Sequence, residues 1–585
     1  MSAMGNALSA SRRLALTFAL LSSMALPSRA GAPQESGDGA PDPHDALLAA
    51  ELYPSARQCG ACHELIYEEW SSSAHAYAAI SPVFHKFEQR INELANGTVG
   101  AFCVRCHISV GTALGEERWK PLWERAAVST EGVTCISCHR VEETYGRVNG
   151  ERRIVPGTIQ EPVRGPTDAP FLDSVIRERE HWGVDPMGDG RGTPIHRDAL
   201  QHEQLGQSEF CASCHQVAVH PGIKLEVVWE QYRDSPAHAQ GIRCQDCHMS
   251  SDPGRSVGYA SGPKATISGK PVEPGSRHTD HAFVGPGYSI AHPGIFPHNL
   301  ANQYSLEDWM SFDWRGGWGA DEWESGSHDP DSFPPPWRDL AKRRDARRIV
   351  AANQAKIAAR NGLRRRLMEN GSRIDGPFFA ERPSRSQDLE FEYVVTNLNP
   401  GHNLPSGSLG AQPEIWLDVA LSGPDGANLW ESGYVDSHGD MADLHSRDVR
   451  AGTLQHDAQL FNLQTKFLTT NLKGTDREMF LPVPFDGDQL PFIRPAGQPT
   501  SVMNHPPFIR MEQRSIPPLG EKRARYSVPG ELLTRPGTYK LSVRLRSRAE
   551  PIYFMDFVRA TKEMVREMNA GMIDIHPYAV TFDLR

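Results

Sequence analysis

The feature that most constrains this chain is the pattern Cys-x-x-Cys-His, which occurs five times in one half of the sequence. The cysteines of the five copies are Cys59 and Cys62, Cys103 and Cys106, Cys135 and Cys138, Cys211 and Cys214, and Cys244 and Cys247. The histidines that follow them are His63, His107, His139, His215 and His248. Two thiols at this spacing can each form a thioether with one vinyl group of the same macrocycle, and the next histidine then lies beneath the iron. The pattern predicts five covalently attached haem c groups, each with a motif histidine as its proximal ligand.

The cysteine count supports this interpretation. The chain contains ten cysteines, and the five motifs use two each. Paired cysteines also form disulfides and zinc knuckles, so a disulfide or zinc scaffold is the alternative. A zinc site does not require a histidine directly after every second cysteine, and the pattern therefore favours haem attachment.

The N-terminus has the features of an export signal. Arg12 and Arg13 precede a short apolar run, Leu14 to Leu26, and Ala30-Gly31-Ala32 offers a cleavage site. We expect residues 1–32 to be a Sec-type signal peptide and residues 33–50 to be a flexible leader. The apolar run is too short to span a bilayer comfortably, and no later run is long enough. The sequence therefore predicts a periplasmic protein with no integral membrane segment after signal cleavage.

Length and charge narrow the class of protein further. With 585 residues, the chain is long enough for roughly two to four domains. Its formal net charge of −11 argues against nucleic acid as a partner. Hydrophobic residues make up 39% of the sequence, so we expect haem to supply part of the core of the N-terminal half.

Three segments of different character follow the leader. Residues 51–300 should form a pentahaem cytochrome c domain of loops and short helices, one of them over residues 64–78. Residues 301–337 contain five tryptophans and read as an irregular segment whose indoles pack on a neighbour, with a lid or docking loop as the alternative. Residues 338–370, rich in arginine and alanine, predict a basic helical linker of one helix or two in sequence.

The last part of the chain has the periodicity of β-structure. Aliphatic or aromatic residues recur at every second position from Leu389 to Val395, from Ile415 to Leu421, where they alternate with Trp416, Asp418 and Ala420, and from Tyr539 to Leu545. Such runs, bounded by Gly and Pro turns, predict a half-buried antiparallel sheet. We expect residues 380–585 to form a β-sandwich-like domain with a C-terminal helix. The predicted fold class is thus α+β multidomain: an N-terminal loop and α-helical multihaem domain, a helical linker and a C-terminal antiparallel β-domain.

The sequence resembles the multihaem c-type cytochromes that include hydroxylamine oxidoreductase, pentahaem nitrite reductase and the cytochromes of the c-552 and c-554 type, in a branch that adds a C-terminal β-domain. The residues that carry the resemblance include Ile66-Tyr67-Glu-Glu-Trp70 with Ser73-Ala-His75, Phe102-Cys103, Gly132-Val-Thr-Cys135, Ser208-Glu-Phe-Cys211, Gly241-Ile-Arg-Cys244 and Gly401-His402-Asn-Leu-Pro405. It covers most of residues 55–300 and extends more loosely into the β-half.

The resemblance implies distal iron ligands among the remaining histidines. Carried over by position, it favours His75, His238 and His402, followed by His196 and His281, with His202 and His278 as rivals. For each of them a surface or structural histidine is the alternative. If His402 binds iron, the β-domain is clamped onto the haem domain.

A haem with histidine on both sides has no open site and suits electron transfer, whereas an iron without the second ligand can bind a substrate. The leading hypothesis is therefore a cytochrome that conducts electrons through closely packed, mostly bis-His haems, with other cytochromes or quinol-linked donors as redox partners. The alternative is an oxidoreductase acting on a small nitrogen or sulfur compound at one five-coordinate haem. A third hypothesis is a β-domain that docks a partner or polysaccharide while the haems report redox state.

Overall fold

The predicted α+β class is confirmed by the architecture of the protein, known from a computed structural model. The structure describes residues 52–94, 100–143, 149–150, 152–219, 223–407, 412–464, 466–468, 480–481, 510–512 and 514–585. The predicted signal peptide and leader lie outside these residues. Short helices fill the N-terminal half, one long helix follows, and antiparallel sheets make up most of the C-terminal part.

The N-terminal half is built from short helices joined by loops. They are α1 (Ala56–Gly60), α2 (Glu64–Ser71), α3 (Ala74–Tyr77), α4 (Pro82–Leu94), α5 (Val104–His107), α6 (Ser109–Ala113), α7 (Ile136–His139), α8 (Pro170–Arg177), α9 (Arg179–Trp182), α10 (Glu209–His215), α11 (Val228–Arg233), α12 (Pro236–Ala239) and α13 (Cys244–His248). The helix predicted over residues 64–78 is divided into α2 and α3, because the Ser73 side chain accepts a hydrogen bond from the Ala76 amide and caps a new helix.

Small two-stranded sheets connect the loops of the N-terminal half. The pairs are β1 (Val163–Gly165) with β4 (Ala199–Gln201), β2 (Val184–Asp185) with β3 (Thr193–Pro194), β5 (Val217–Val219) with β6 (Ile223–Glu226), β7 (Ala260–Gly262) with β10 (Ser276–His278), and β8 (Ala265–Ile267) with β9 (Lys270–Val272). The apolar clusters between these elements are small. A core divided in this way suits a domain in which a large prosthetic group supplies apolar volume.

The tryptophan-rich segment packs its indoles on the long helix. It carries α14 (Leu306–Met310) and α15 (Asp321–Glu324), and it leads into α16 (Leu340–Gly371). Trp309, Phe312, Phe333 and Trp337 form one cluster with Ala346, Ile349 and Val350 of α16. Among the described residues, no helix combines the length and the apolar character needed to cross a membrane.

Trp337 anchors this cluster and offers a test of it. Its side chain is fully buried, and its Nε1 donates to Asp308 O at 3.0 Å and to Ser311 Oγ at 2.9 Å. We expect Trp337→Ala to lower the local stability of α16 by about 3–5 kcal/mol, because it leaves a large cavity. Hydrogen exchange of the α16 amides measures this. Trp119→Ala is the control, since Trp119 is 73% exposed; equal protection in both variants would contradict the packing role.

The C-terminal domain is a sandwich of two antiparallel sheets. One has the order β11 (Ser372–Phe379), β12 (Leu389–Asn397), β18 (Glu521–Val528), and the other has the order β14 (Asn428–Ser432), β13 (Glu414–Ser422), β19 (Gly537–Arg548), β20 (Ile573–Leu584). A further small sheet joins β15 (Lys466–Leu468), β16 (Phe480–Leu481) and β17 (Arg510–Glu512). The remaining helices are α17 (Arg447–Arg450), α18 (Ile552–Phe557) and α19 (Lys562–Ala570). The side chains of both main sheets meet in one buried core, as the period-two pattern requires.

The long helix α16 connects the two halves. Asn353 Nδ2 donates to Pro293 O and Pro297 O, both at 2.8 Å, on the N-terminal side. Nearer its C-terminal end, Arg364 Nη1 donates to Gly571 O at 2.7 Å. Both contacts are buried or partly buried, so α16 is packed structure and holds the N-terminal half against the β-domain.

Candidate functional site

The motifs lie on short helices that end at or near the motif histidine. Helices α5, α7, α10 and α13 each end at the histidine of their motif, and His63 directly precedes α2. Residues three and four apart on a helix share one face, so both thiols and the histidine of a motif are directed to the same side. All ten cysteines are free of disulfides. Within the described residues, no three His, Cys, Asp or Glu side chains cluster as a metal site.

Five of the candidate ligand histidines direct Nδ1 to a backbone carbonyl. Distances from Nδ1 to a backbone carbonyl are 2.8 Å for His63 (Lys264), 2.7 Å for His139 (Arg164), 3.4 Å for His107 (Ala78), 2.7 Å for His281 (Thr279) and 3.1 Å for His402 (Asn403). An imidazole that donates from Nδ1 to a carbonyl leaves the Nε2 lone pair for a metal. These hydrogen bonds set the Nδ1-protonated tautomer that haem ligation requires, although at His402 the Asn399 Nδ2 atom lies 3.0 Å from Nε2, the atom that iron would bind.

Four motif histidines each face a second histidine ring. Ring centroids are 6.4 Å apart for His63 and His196, 6.4 Å for His139 and His281, 6.3 Å for His215 and His75, and 6.1 Å for His248 and His402. The planes of these pairs differ by 6°, 32°, 43° and 14° respectively. A metal–imidazole bond is about 2.0 Å long, so one iron between two imidazoles places their centroids roughly 6 Å apart. The four pairs thus have the spacing of bis-His haem ligation.

Desolvation lowers the pKa of these imidazoles. Desolvation, with nearby positive groups, lowers the pKa of His75 and His281 to about 3. The same main cause lowers the pKa of His107, His196 and His248 to about 4. Only the neutral form has a lone pair for iron, so burial favours the ligand form at physiological pH. In their hydrogen bonds, ring spacing and protonation state, these histidines fit the binding of haem c.

His107 of the second motif has different surroundings. Its ring stacks on Phe84 of α4, with centroids 4.1 Å apart and planes within 7°. The neighbouring His85 directs Nε2 to Ala79 O at 2.7 Å. Of the histidines that the structure describes, none forms with His107 a ring pair like the other four.

The sequence-based distal candidates are placed in two ways. His75, His196, His281 and His402 each lie opposite a motif histidine. His238, on α12, is exposed and meets the Tyr232 ring edge-on at 5.2 Å. His278, one of the rival candidates, is hydrogen-bonded to Glu69, with Nε2 2.6 Å from Oε1.

Cysteines of different motifs lie in contact. The side chains of Cys135 and Cys59, of Cys106 and Cys214, and of Cys211 and Cys244 lie within hydrogen-bonding distance of each other. These contacts join the first motif to the third, the second to the fourth and the fourth to the fifth. Thioether positions are on the haem edge, so such contacts bring haem edges together.

Arg152 contacts both the third and the fourth motif. The sequence did not predict this position. Its Nη1 lies 3.3 Å from Ser137 O and 4.0 Å from Cys138 Sγ, while Nε donates to Ser213 Oγ at 2.6 Å. Its guanidinium also covers the Phe210 ring at 4.3 Å. Nothing in the sequence distinguishes Arg152 from its neighbour Arg153. Phe84 was missed too, although its position beside His85 and shortly after His75 could have drawn attention.

Comparisons with known proteins add one family match. Residues 58–140 match the family described as "Cytochrome c554 and c-prime". A penta-heme cytochrome c552 from Thermochromatium tepidum aligns over 90% of this chain and 98% of its own, with 15% identity and a TM-score of 0.46. An alkylpurine DNA glycosylase from Pseudomonas fluorescens, bound to DNA containing an abasic site analog, covers 42% of this chain and 40% of its own, with 10% identity and a TM-score of 0.13. With TM-scores below 0.5, neither likeness bears on function, and no curated protein matches the chain.

The motifs, the ligand geometry and the family match agree with one another. The histidine tautomers and ring spacings suit haem iron, and the matched segment includes the first three motifs. Bound haem c supplies one-electron Fe(III)/Fe(II) chemistry, and the protein sets its ligands, burial and nearby charge. Residues 58–140 are thus similar to the family of cytochromes c554 and c-prime, and the further motifs extend the pattern of haem c attachment over the N-terminal half of the chain.

Proposed function

We propose that the chain is a periplasmic pentahaem cytochrome that conducts electrons through closely packed, mostly bis-His haems. The observation that carries this proposal is the set of four imidazole pairs at 6.1–6.4 Å. We assign His196, His281, His75 and His402 as the distal ligands opposite His63, His139, His215 and His248. The resemblance also favoured His238, but its ring contact is with Tyr232 and not with a motif histidine.

The contacts between motifs support a branched route for electrons. The fourth motif touches the second through Cys214 and the fifth through Cys211. Arg152 links it to the third motif, which touches the first through Cys135. The haem of the fourth motif is therefore the junction of the proposed network, and the haems of the first, second and fifth motifs are its ends.

The proposed partners are other cytochromes or quinol-linked donors. The export signal expected over residues 1–32 supports a periplasmic location, where covalent haem attachment takes place. An end of the network is the natural point of exchange with a partner, because electrons enter and leave a chain of centres through its terminal members.

The second motif supports a second candidate function. His107 lacks an imidazole opposite it among the described histidines, and His85 uses Nε2 on a carbonyl. An iron with one protein ligand can bind a small nitrogen or sulfur compound. Under this proposal, the haem of the second motif is the substrate site, and the other haems supply or remove electrons.

Spectroscopy and mass spectrometry of the exported protein test both functions. We expect a mass corresponding to five haems, four low-spin EPR signals, and one high-spin signal that changes on adding carbon monoxide or nitrite. Fewer than five haems would overturn the pentahaem proposal. Five low-spin signals with no response to either ligand would leave electron conduction intact and exclude the substrate site at His107.

A further inference from the structure

The segment that carries His281 has no regular secondary structure. His281 lies after β10, and residues 279–285 form neither helix nor strand. Its ring nevertheless lies opposite His139, with the centroids 6.4 Å apart. This position must be set by contacts with other parts of the chain. One of them comes from Glu69 of α2, whose Oε2 accepts a hydrogen bond from the His281 amide at 2.9 Å.

The second oxygen of Glu69 faces another histidine, His278. The Nε2 atom of His278 lies 2.6 Å from Glu69 Oε1, and the His278 side chain is only 7% exposed. An ionised carboxylate can only accept hydrogen bonds, so this contact places the ring hydrogen of His278 on Nε2 and removes the lone pair there. The two oxygens of one carboxylate thus contact two histidines that are close in sequence.

The two histidines are held in opposite tautomers. His281 directs Nδ1 to Thr279 O at 2.7 Å, so its hydrogen lies on Nδ1 and its lone pair on Nε2. His278 has its hydrogen on Nε2, where Glu69 accepts it. A metal ion binds the lone pair of a neutral imidazole, and the hydrogen bond of the other nitrogen decides which atom offers it. Of the two rings, it is therefore His281 that presents Nε2 to iron.

Other contacts hold the backbone of this segment without selecting between the two rings. The Asp280 amide donates to Met249 O at 3.0 Å, and Asp280 Oδ1 accepts from the Ala282 amide at 2.7 Å. Neither of these two bonds involves the His281 amide or an imidazole. Replacing a group that holds a metal ligand in place typically weakens metal binding by about 10- to 100-fold. Glu69 is such a group for His281.

We propose that Glu69 is a positioning residue that makes His281, and not His278, the distal ligand of the third haem. It holds the backbone of His281 and occupies the Nε2 atom of His278. The inference rests on the proposed function, in which the haem of the third motif has two histidine ligands. Since α2 begins directly after His63, a helix that starts at the first motif sets the ligand of the third.

The EPR spectrum of the haem-loaded protein tests this role. Glu69→Ala removes both hydrogen bonds, and we expect it to lower the intensity of one low-spin signal about tenfold. That signal should be the one that His281→Ala removes. Glu69→Gln should keep the wild-type spectrum, because its amide oxygen can accept from the His281 amide while its NH2 group faces His278 Nε2.

Glu68→Ala is the matched control, because Glu68 is the adjacent residue on the same helix. Its side chain is 44% exposed and pairs with Lys356. The spectrum of this control should equal that of the wild type. The proposal is overturned if Glu69→Ala gives the same spectrum as Glu68→Ala, or if Glu69→Gln loses the signal as fully as Glu69→Ala.

Two further measurements distinguish the causes of a negative result. Mass spectrometry counts the haems of each variant, and if Glu69→Ala does not load as the wild type does, Glu69→Asp decides the outcome. Its shorter side chain keeps the charge but cannot reach both histidines, so it should lose the same signal, and a wild-type spectrum would overturn the proposal. If His281→Ala keeps every low-spin signal, the ligand assignment in the proposed function is wrong. If only Glu69→Ala keeps them, that assignment stands and the positioning role is wrong.

Discussion

Replacing His402 with alanine is expected to convert one low-spin haem into a high-spin haem. His402 lies 6.1 Å from His248, ring to ring, and Asn403 O holds its Nδ1. Without this imidazole, the iron of the fifth motif has one protein ligand and an open position. EPR and optical spectra of the purified variant measure the change, and the number of attached haems should stay the same.

His238→Ala is the matched control for this experiment. His238 was an equal candidate from the sequence, but its ring contacts Tyr232 edge-on at 5.2 Å. We expect its spectra to equal those of the wild type. A new high-spin signal in His238→Ala, with none in His402→Ala, would reverse the ligand assignment.

Replacing Arg548 with methionine should destabilise the β-domain by about 3–5 kcal/mol, because it leaves a buried carboxylate without its cation. Arg548 and Glu414 are fully buried, and Nε donates to Glu414 Oε2 at 2.8 Å. Asp440 lies nearby, and burial together with Glu414 raises its pKa. Loss of the arginine would expose both acids to mutual repulsion. Hydrogen exchange of the β13 and β19 amides reports the loss.

Two further variants isolate the cause. In Glu414→Gln with Arg548→Met, the destabilisation should be smaller than in Arg548→Met alone, since no buried charge is left unpaired. Arg535→Met removes an exposed partner of Asp425 at 2.7 Å and should cost less than about 1 kcal/mol. If Arg548→Met costs no more than Arg535→Met, the buried ion pair does not hold the domain together.

The sequence could predict the motifs and strands that are defined by a short pattern of neighbouring residues. The five motifs follow from thioether chemistry, and the inward faces of β12 and β13 follow from a period of two. Leu389, Phe391 and Tyr393 do lie in the core of the sandwich. These predictions succeed because each depends on residues only a few positions apart.

Features that depend on distant residues could not be predicted. The alternation along β13 suggests that Trp416 and Asp418 face solvent, yet both are buried. The reason is that Arg544 and Arg546 of β19 donate to Asp418, while Trp416 Nε1 donates to Gly433 O. A period-two pattern says nothing about what covers the second face of a strand.

The pairing of the histidines could not be predicted from the sequence for the same reason. The resemblance ranked His238 with His75 and His402, but which ring lies opposite which motif depends on loop paths. His196 is brought to His63, and His281 to His139, by segments with no periodic pattern. The stacking of Phe84 on His107 and the position of Arg152 likewise depend on packing between separate motifs.

The pairing of His248 with His402 has a consequence for the order in which the protein matures. The two residues are distant in sequence, and contacts of long sequence separation form late because chain entropy opposes them. The N-terminal motifs emerge first during synthesis and export, whereas the strand before His402 follows α16. We therefore expect the fifth haem to acquire its second ligand last, when the β-domain docks. A chain that stalls or is truncated before this step should contain one haem iron with only its proximal histidine.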